Sequence, residues 1–257
     1  MNQNERREYL INYLIDESGM YRTLKFSGDE NKDKMLLRGL MNLRAASPIS
    51  EEFLRIQDEY LTEEKNQKGI VKLSDLTPIS QDIYLWRGDI TRLECGAIVN
   101  AANSQMTGCY QPCHNCIDNC IHTFAGVQLR NYCNEIMQKQ GNCEPTGQAK
   151  ITPAYNLPCD YVIHTVGPIV MGKLSIPDCK LLESCYHSCL EIADKNNVDS
   201  IAFCCISTGV YMFPNEKAAD IAVNTVKEYK RTTGSEIKII FDVFKESDER
   251  FYRNLLE

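Results

Sequence analysis

No apolar run in this chain approaches the roughly 20 residues that a helix needs to cross a bilayer, which excludes a helical membrane span. Neither GxGxxG nor GxxxxGK[ST] occurs, so a dinucleotide dehydrogenase of the usual kind and a P-loop enzyme are both excluded. A basic excess is missing too: 28 Lys and Arg stand against 35 Asp and Glu, a net charge of -7. Sequence-independent nucleic-acid binding, which needs clustered cations to neutralise phosphates, is therefore not expected. A small phosphorylated ligand remains compatible with this charge, because backbone amides can hold a phosphate without a basic patch. The N-terminal stretch MNQNERREYLINYL mixes both charge signs and has no signal-peptide apolar core, so a soluble, cytoplasmic protein is expected.

Cysteine, by contrast, is plentiful. Thirteen cysteines in 257 residues would suggest a disulfide framework in a short secreted chain, but the length and the odd count argue for reduced thiols. Cys159, Cys185, Cys189, Cys204 and Cys205 lie within apolar runs and read as small hydrophobes. The stretch GCYQPCHNCIDNCIH, Gly108 to His122, is different. It packs four of the thirteen cysteines and two of the four histidines around Asp118. Thiolates and imidazoles beside a carboxylate are the donor set of a zinc site with chemistry attached.

The first seventy or so residues are helical in pattern. Apolar residues recur at helical spacing in REYLINYLIDE and in DKMLLRGLMNLRAA, and Ser50 suits an N-cap ahead of EEFLRIQDEYL. Residues 1–75 are expected to be an extension that covers part of a larger core, residues 76–257, because short amphipathic helices must bury their stripes against something. From Ile83 onward strands alternate with helices. The strand-like runs are IYLWRGDIT, AIVNAAN, YVIHTVG, SIAFCCIS and EIKIIFDVF, and the intervening helical stretches include IDNCIHTFAGVQLRNYCNEIMQKQ. This alternation predicts an α/β fold with a largely parallel sheet between helical layers, and its ligands belong beyond the carboxyl ends of the strands. The loops Gly88 to Thr91, Asn100 to Asp118 and Ser207 to Phe213 all follow strands and should converge on one cleft. His164 alternates with buried positions and reads as a core histidine, and Trp86 as core.

Six residues of the metal loop are candidate ligands: Cys109, Cys113, His114, Cys116, Cys120 and His122. A catalytic zinc uses about three protein ligands and keeps one position open. A closed structural site, or reduced thiols alone, would use the same residues, although Cys113 and Cys116 have no second Cys-x2-Cys partner pair. Asp118 suits either a proton-moving role or an N-cap of the following helix.

WRGDIT, AIVNAAN, IDNCIHTFAG, TPAYNLPCDYVIHTVGP and CCISTGVYMFP together resemble the macrodomain family, an ADP-ribose-binding fold. With the insertion GCYQPCHNC and the helical prefix ending in LSDLTPI, the chain is similar to the zinc-containing microbial macrodomains, which reverse protein mono-ADP-ribosylation. The resemblance implies a three-layer α/β/α sandwich with a mixed, largely parallel sheet behind an N-terminal helical extension. It implies one zinc ion per chain on Cys109, His114 and Cys116, with Cys113 at a position that is apolar in relatives. Asn103 would hold the distal ribose and Asp118 would act in the catalytic loop. Gly88, Asp89 and Ile90 would read adenine and the diphosphate side. Ser207, Thr208, Gly209, Val210 and Tyr211 would cradle the diphosphate, with the Phe213 ring on the adenosine. Relatives often carry Gly where Met212 stands. The implied activity is zinc-dependent cleavage of the ester between ADP-ribose C1″ and a protein Asp or Glu. The implied partner is a modified lipoyl carrier resembling the glycine-cleavage H protein, the target of a sirtuin-like transferase. A non-catalytic ADP-ribose reader with structural zinc and an O-acetyl-ADP-ribose deacetylase are the alternatives.

Overall fold

The computed structural model describes residues 1–257. Three helices come first: α1 (Gln3–Ser18), α2 (Glu30–Leu43) and α3 (Glu51–Lys68). Each starts on a side-chain cap, Asn2, Asp29 and Ser50 respectively, which satisfies amides that the first turn leaves free. Their apolar stripes meet in a cluster of their own, including Leu10, Ile11, Leu37, Leu40, Phe53 and Ile56. That cluster reaches the rest of the chain through Val127, whose amide donates to Gln57 Oε1 at 3.0 Å.

The remaining strands are β1 (Val71–Lys72), β2 (Pro78–Ser80), β3 (Ile83–Arg87), β4 (Leu93–Glu94), β5 (Ala97–Ala101), β6 (Ala149–Pro153), β7 (Tyr161–Thr165), β8 (Ser200–Phe203) and β9 (Lys238–Val243). Seven of them form one sheet in the order β2-β3-β9-β8-β5-β7-β6, and β1 pairs with β4 alone. The five central strands are parallel, whereas β2 and β6 close the two edges antiparallel. Ala97, Ile98, Val99, Ile201, Ala202, Ile239 and Ile240 are wholly buried, as expected of parallel strands covered on both faces. The helices are α4 (Ile117–Ala125), α5 (Val127–Gln140), α6 (Ile176–Lys195), α7 (Asn215–Thr233) and α8 (Glu246–Leu256). α6, α7 and α8 pack on one another as one layer; α4 and α5 pack on β5 and β6 as the other and carry the N-terminal helices on their outer side.

The stretch 117–140, which reads as one helix, is two, broken at Gly126. β6, α8 and the short strands β1, β2 and β4 have no counterpart in the expected elements. The parallel order puts the loops after β3, β5, β7 and β8 at one edge of the sheet, and the site is built there.

Candidate active site

The strand β5 ends in amides. Asn100 is fully buried, and its Nδ2 donates to Asp118 Oδ1 at 2.8 Å and to His164 Nδ1 at 3.1 Å. Three residues on, Asn103 Nδ2 donates to Asp118 Oδ2 at 3.1 Å and to the Gly108 carbonyl at 3.1 Å. Asp118 is therefore gripped at both oxygens by the strand end that precedes it. It is only 5% exposed, and burial raises its pKa to about 6 against the pull of those two amides.

The N-cap of α4 is Cys116, whose sulfur accepts from the Asn119 amide at 3.4 Å, so Asp118 lies inside the first turn and does not cap the helix. One turn further, His122 Nε2 is 3.6 Å from Asp118 Oδ1, and neither ring nitrogen of His122 has a hydrogen-bond partner. Burial holds this imidazole neutral, well below its ordinary pKa.

The donor atoms of Cys109, His114 and Cys116 all lie within 4.8 Å of one another. Cys109 Sγ is 3.6 Å from His114 Nδ1. Tetrahedral zinc, with bonds of about 2.3 Å to sulfur and about 2.0 Å to nitrogen, separates two such ligands by about 3.5 Å, so the donor set and its spacing fit that ion. The other loop thiols point elsewhere: Cys113 donates to the Met35 carbonyl, and Cys120 lies against Arg38. A second trio, His122, Cys133 and His164, is wholly buried. Both nitrogens of His164 are already engaged, by Asn100 and by Thr152 Oγ1 at 3.0 Å, which makes it a core residue.

At the other end of the site, Gly88 is required because a Cβ there would lie 2.2 Å from the Trp86 ring. Asp89 Oδ1 accepts from the Thr91 amide and hydroxyl, and Oδ2 is 2.5 Å from Lys68 Nζ. Burial would raise the Asp89 carboxyl, yet Lys68 and Thr91 outweigh it and hold the group below its ordinary pKa. Lys68 also lies over the Phe124 ring, 4.0 Å from its centre. The neighbouring Ile90 is buried and starts a single 3-10 turn.

The loop after β8 is shaped by two non-glycine residues in the left-handed region, Ser207 (φ 66°) and Met212 (φ 55°). Met212 thus adopts a conformation that glycine takes without cost. The loop closes on itself through Phe213 N to Ser207 O at 3.0 Å, and Thr208 Oγ1 bonds the Cys205 carbonyl. The amides of Gly209, Val210 and Tyr211 donate to no protein acceptor, and Val210 is largely exposed. Gly167 permits the loop after β7 to approach, since a Cβ there would meet Ser207 Oγ at 2.0 Å. Phe213 corrects an expectation: it is 1% exposed and belongs to the main core cluster, so its ring anchors the loop from inside and is not free to cover an adenosine.

A family model described as the Macro domain matches residues 99–222. A protein-ADP-ribose hydrolase of Treponema medium is 59% identical over 260 residues, covering 100% of both chains. The chain belongs to the macrodomain family. Another relative, a protein-ADP-ribose hydrolase of Staphylococcus aureus (strain MRSA252), is 48% identical over 96% of this macrodomain and 94% of its own length. Among solved structures, a Trypanosoma brucei macrodomain in complex with ADP-ribose superposes with a TM-score of 0.67 at 29% identity, covering 85% of this chain and 95% of that one. An Oceanobacillus iheyensis macrodomain with ADP gives 0.62 at 34% identity, covering 70% of this chain and 93% of that one.

Sequence patterns did not single out Asn100, Lys68, Arg38 or Arg130, and they offered His122 only as one of six candidate ligands, whereas it sits beside Asp118 and outside the Cys109, His114 and Cys116 group. Asn100 had a signal, since AIVNAAN repeats its amide at Asn103; Lys68, Arg38 and Arg130 have none, because each acts on residues distant in the chain.

Proposed function

We propose that this macrodomain is a zinc-dependent protein mono-ADP-ribosyl hydrolase that cleaves the ester between ADP-ribose C1″ and an Asp or Glu side chain. The observation that carries this is the juxtaposition of a three-ligand zinc set, Cys109, His114 and Cys116, with an amide-gripped carboxylate, Asp118, two residues after the last ligand. The names of the relatives, protein-ADP-ribose hydrolase, support the activity, and the ADP-ribose bound by the trypanosomal macrodomain supports the ligand.

Adenine is assigned to Asp89, and the diphosphate to the open amides of Gly209, Val210 and Tyr211, with Ser207 and Thr208 shaping the turn that presents them. Asn103 holds the distal ribose beside Asp118. One zinc ion, held by Cys109, His114 and Cys116, would supply Lewis acidity toward the ribose hydroxyls or water. Asp118 takes a proton from the attacking water as the ester opens, and a pKa raised by burial suits a base that must also release its proton. The ester's leaving group is itself a carboxylate and needs no protonation. A lipoyl carrier resembling the glycine-cleavage H protein, modified by a sirtuin-like transferase, is the protein partner in this proposal.

The test is release of free ADP-ribose from a protein modified on aspartate or glutamate. Release that is lost in Asp118→Ala supports the proposal. Tight ADP-ribose binding without release from any modified protein would make the chain a reader, and release from O-acetyl-ADP-ribose alone would make it a deacetylase.

A further inference from the structure

The loop that carries Cys109, His114 and Cys116 makes few hydrogen bonds within itself. Between β5 and α4 the chain has no regular secondary structure, and Met106, Gly108 and Cys113 all sit at positive φ. What holds it comes largely from outside, and above all from α2.

Arg38 Nη2 donates to the carbonyl of His114 at 2.7 Å and to Asn119 Oδ1 at 2.9 Å. The Asn119 amide group in turn donates to the carbonyls of Cys109 at 3.3 Å and Gln111 at 3.0 Å, while its backbone N–H donates to Cys116 Sγ. One guanidinium is therefore tied to all three ligand residues, to His114 directly and to Cys109 and Cys116 through Asn119.

One turn along the same helix, Asn42 Oδ1 accepts from the Cys113 amide at 2.9 Å, fixing the residue with the left-handed backbone between Cys109 and His114. Its Nδ2 donates to Thr123 Oγ1 at 2.9 Å, on the buried side of α4. Arg130 of α5 locks the end of α2 in place, donating to the carbonyls of Met41, Asn42 and Arg44 and, at the loop's start, to Thr107 O at 2.7 Å.

We propose that the N-terminal helical extension is part of the metal centre, with Arg38 and Asn42 as positioning residues that pre-form the Cys109–Cys116 loop for its ion. This rests on the zinc assignment under Proposed function. Groups that orient metal ligands from behind are commonly worth about 10–100-fold in metal affinity when removed. Neither Arg38 nor Asn42 is placed in contact with adenine or the diphosphate, so their loss should separate metal affinity from nucleotide affinity.

The experiment measures zinc affinity of the full chain by competition with a chromogenic chelator, alongside ADP-ribose affinity by calorimetry and thermal unfolding. The variants are Arg38→Ala, Arg38→Lys, Asn42→Ala and, as a control for plain destabilisation, Leu14→Ala, which opens a cavity in the helical cluster away from the loop. Arg38→Ala and Asn42→Ala are expected to weaken zinc by at least about tenfold while changing ADP-ribose affinity less than about twofold. Arg38→Lys should recover part of the loss, since an ammonium can reach one of the two acceptors but not both in the guanidinium's geometry. Leu14→Ala should lower the melting temperature with zinc affinity unchanged. Wild-type zinc affinity in folded Arg38→Ala and Asn42→Ala would overturn the inference and leave the zinc assignment standing. An equal loss in Leu14→Ala would also overturn it, by making the effect one of general stability. Wild-type protein that binds no zinc would overturn both.

Discussion

Lys68 Nζ lies 2.5 Å from Asp89 Oδ2, joining the last turn of α3 to the loop after β3 and keeping the carboxylate ionised within a half-buried setting. If Asp89 accepts the exocyclic amine of adenine, Asp89→Ala should weaken ADP-ribose by about 1.5–3 kcal/mol, the worth of a hydrogen bond to a charged group. Lys68→Ala should cost less at neutral pH but should change the pH profile. Because the Asp89 pKa is lowered, wild-type affinity should persist until the pH falls below the ordinary carboxylate range, and in Lys68→Ala it should fade at higher pH. Calorimetry between pH 4 and pH 7 reads both effects. Unchanged affinity in Asp89→Ala would remove adenine from this position.

Three loop thiols and His114 should divide sharply. Cys109→Ala, His114→Ala and Cys116→Ala should each abolish stoichiometric zinc, because two remaining ligands are too few. Cys113→Ala should retain the metal, since its sulfur faces the Met35 carbonyl outside the ligand group. Elemental analysis of each purified variant decides it, and metal loss in Cys113→Ala with retention in Cys109→Ala would overturn the ligand set.

Asp118 should also leave a mark on stability. Its folded pKa, about 6, stands above that of an unfolded aspartate, so its favourable contribution is complete at low pH and is lost as the pH rises through about 6. In metal-free protein, Asp118→Asn should therefore gain stability relative to wild type between about pH 4 and pH 7, by on the order of 2 kcal/mol. The amide's mismatch with its two donors, Asn100 and Asn103, adds an offset that does not vary with pH. Denaturant titrations at the two pH values measure the difference, and a pH-independent gap would mean that Asp118 is not held above its ordinary value.

The buried strands were legible because a parallel strand covered on both faces must be an apolar run, as in Ala97–Val99 and Ile239–Phe241. Their parallel order made the convergence of the loops legible as well. The edge strand Ala149–Pro153 was not, since it is half-exposed and ends in proline. The cysteines and histidines of the 109–122 stretch were legible by type, but which of the six come together depends on where the backbone turns, and that backbone is bonded by Asn119 of α4 and, from across the fold, by Arg38 and Asn42 of α2. Phe213 followed a small-residue loop and read as a ligand contact, whereas the left-handed turn at Met212 directs it into the core. Contacts such as Lys68 with Asp89 or Arg130 with the end of α2 join segments that no local pattern links.

If zinc acts in turnover, the adenine and diphosphate contacts should provide binding that does not depend on it. Single-turnover release of ADP-ribose from a carboxylate-linked protein substrate tests it most directly, comparing wild type, chelator-stripped protein and Asp118→Ala, each shown to be folded by circular dichroism. The expected result is loss of release in the stripped protein and in Asp118→Ala, with ADP-ribose affinity largely kept in both. Wild-type release rates from folded, metal-free protein would contradict the claim and confine zinc to holding the loop.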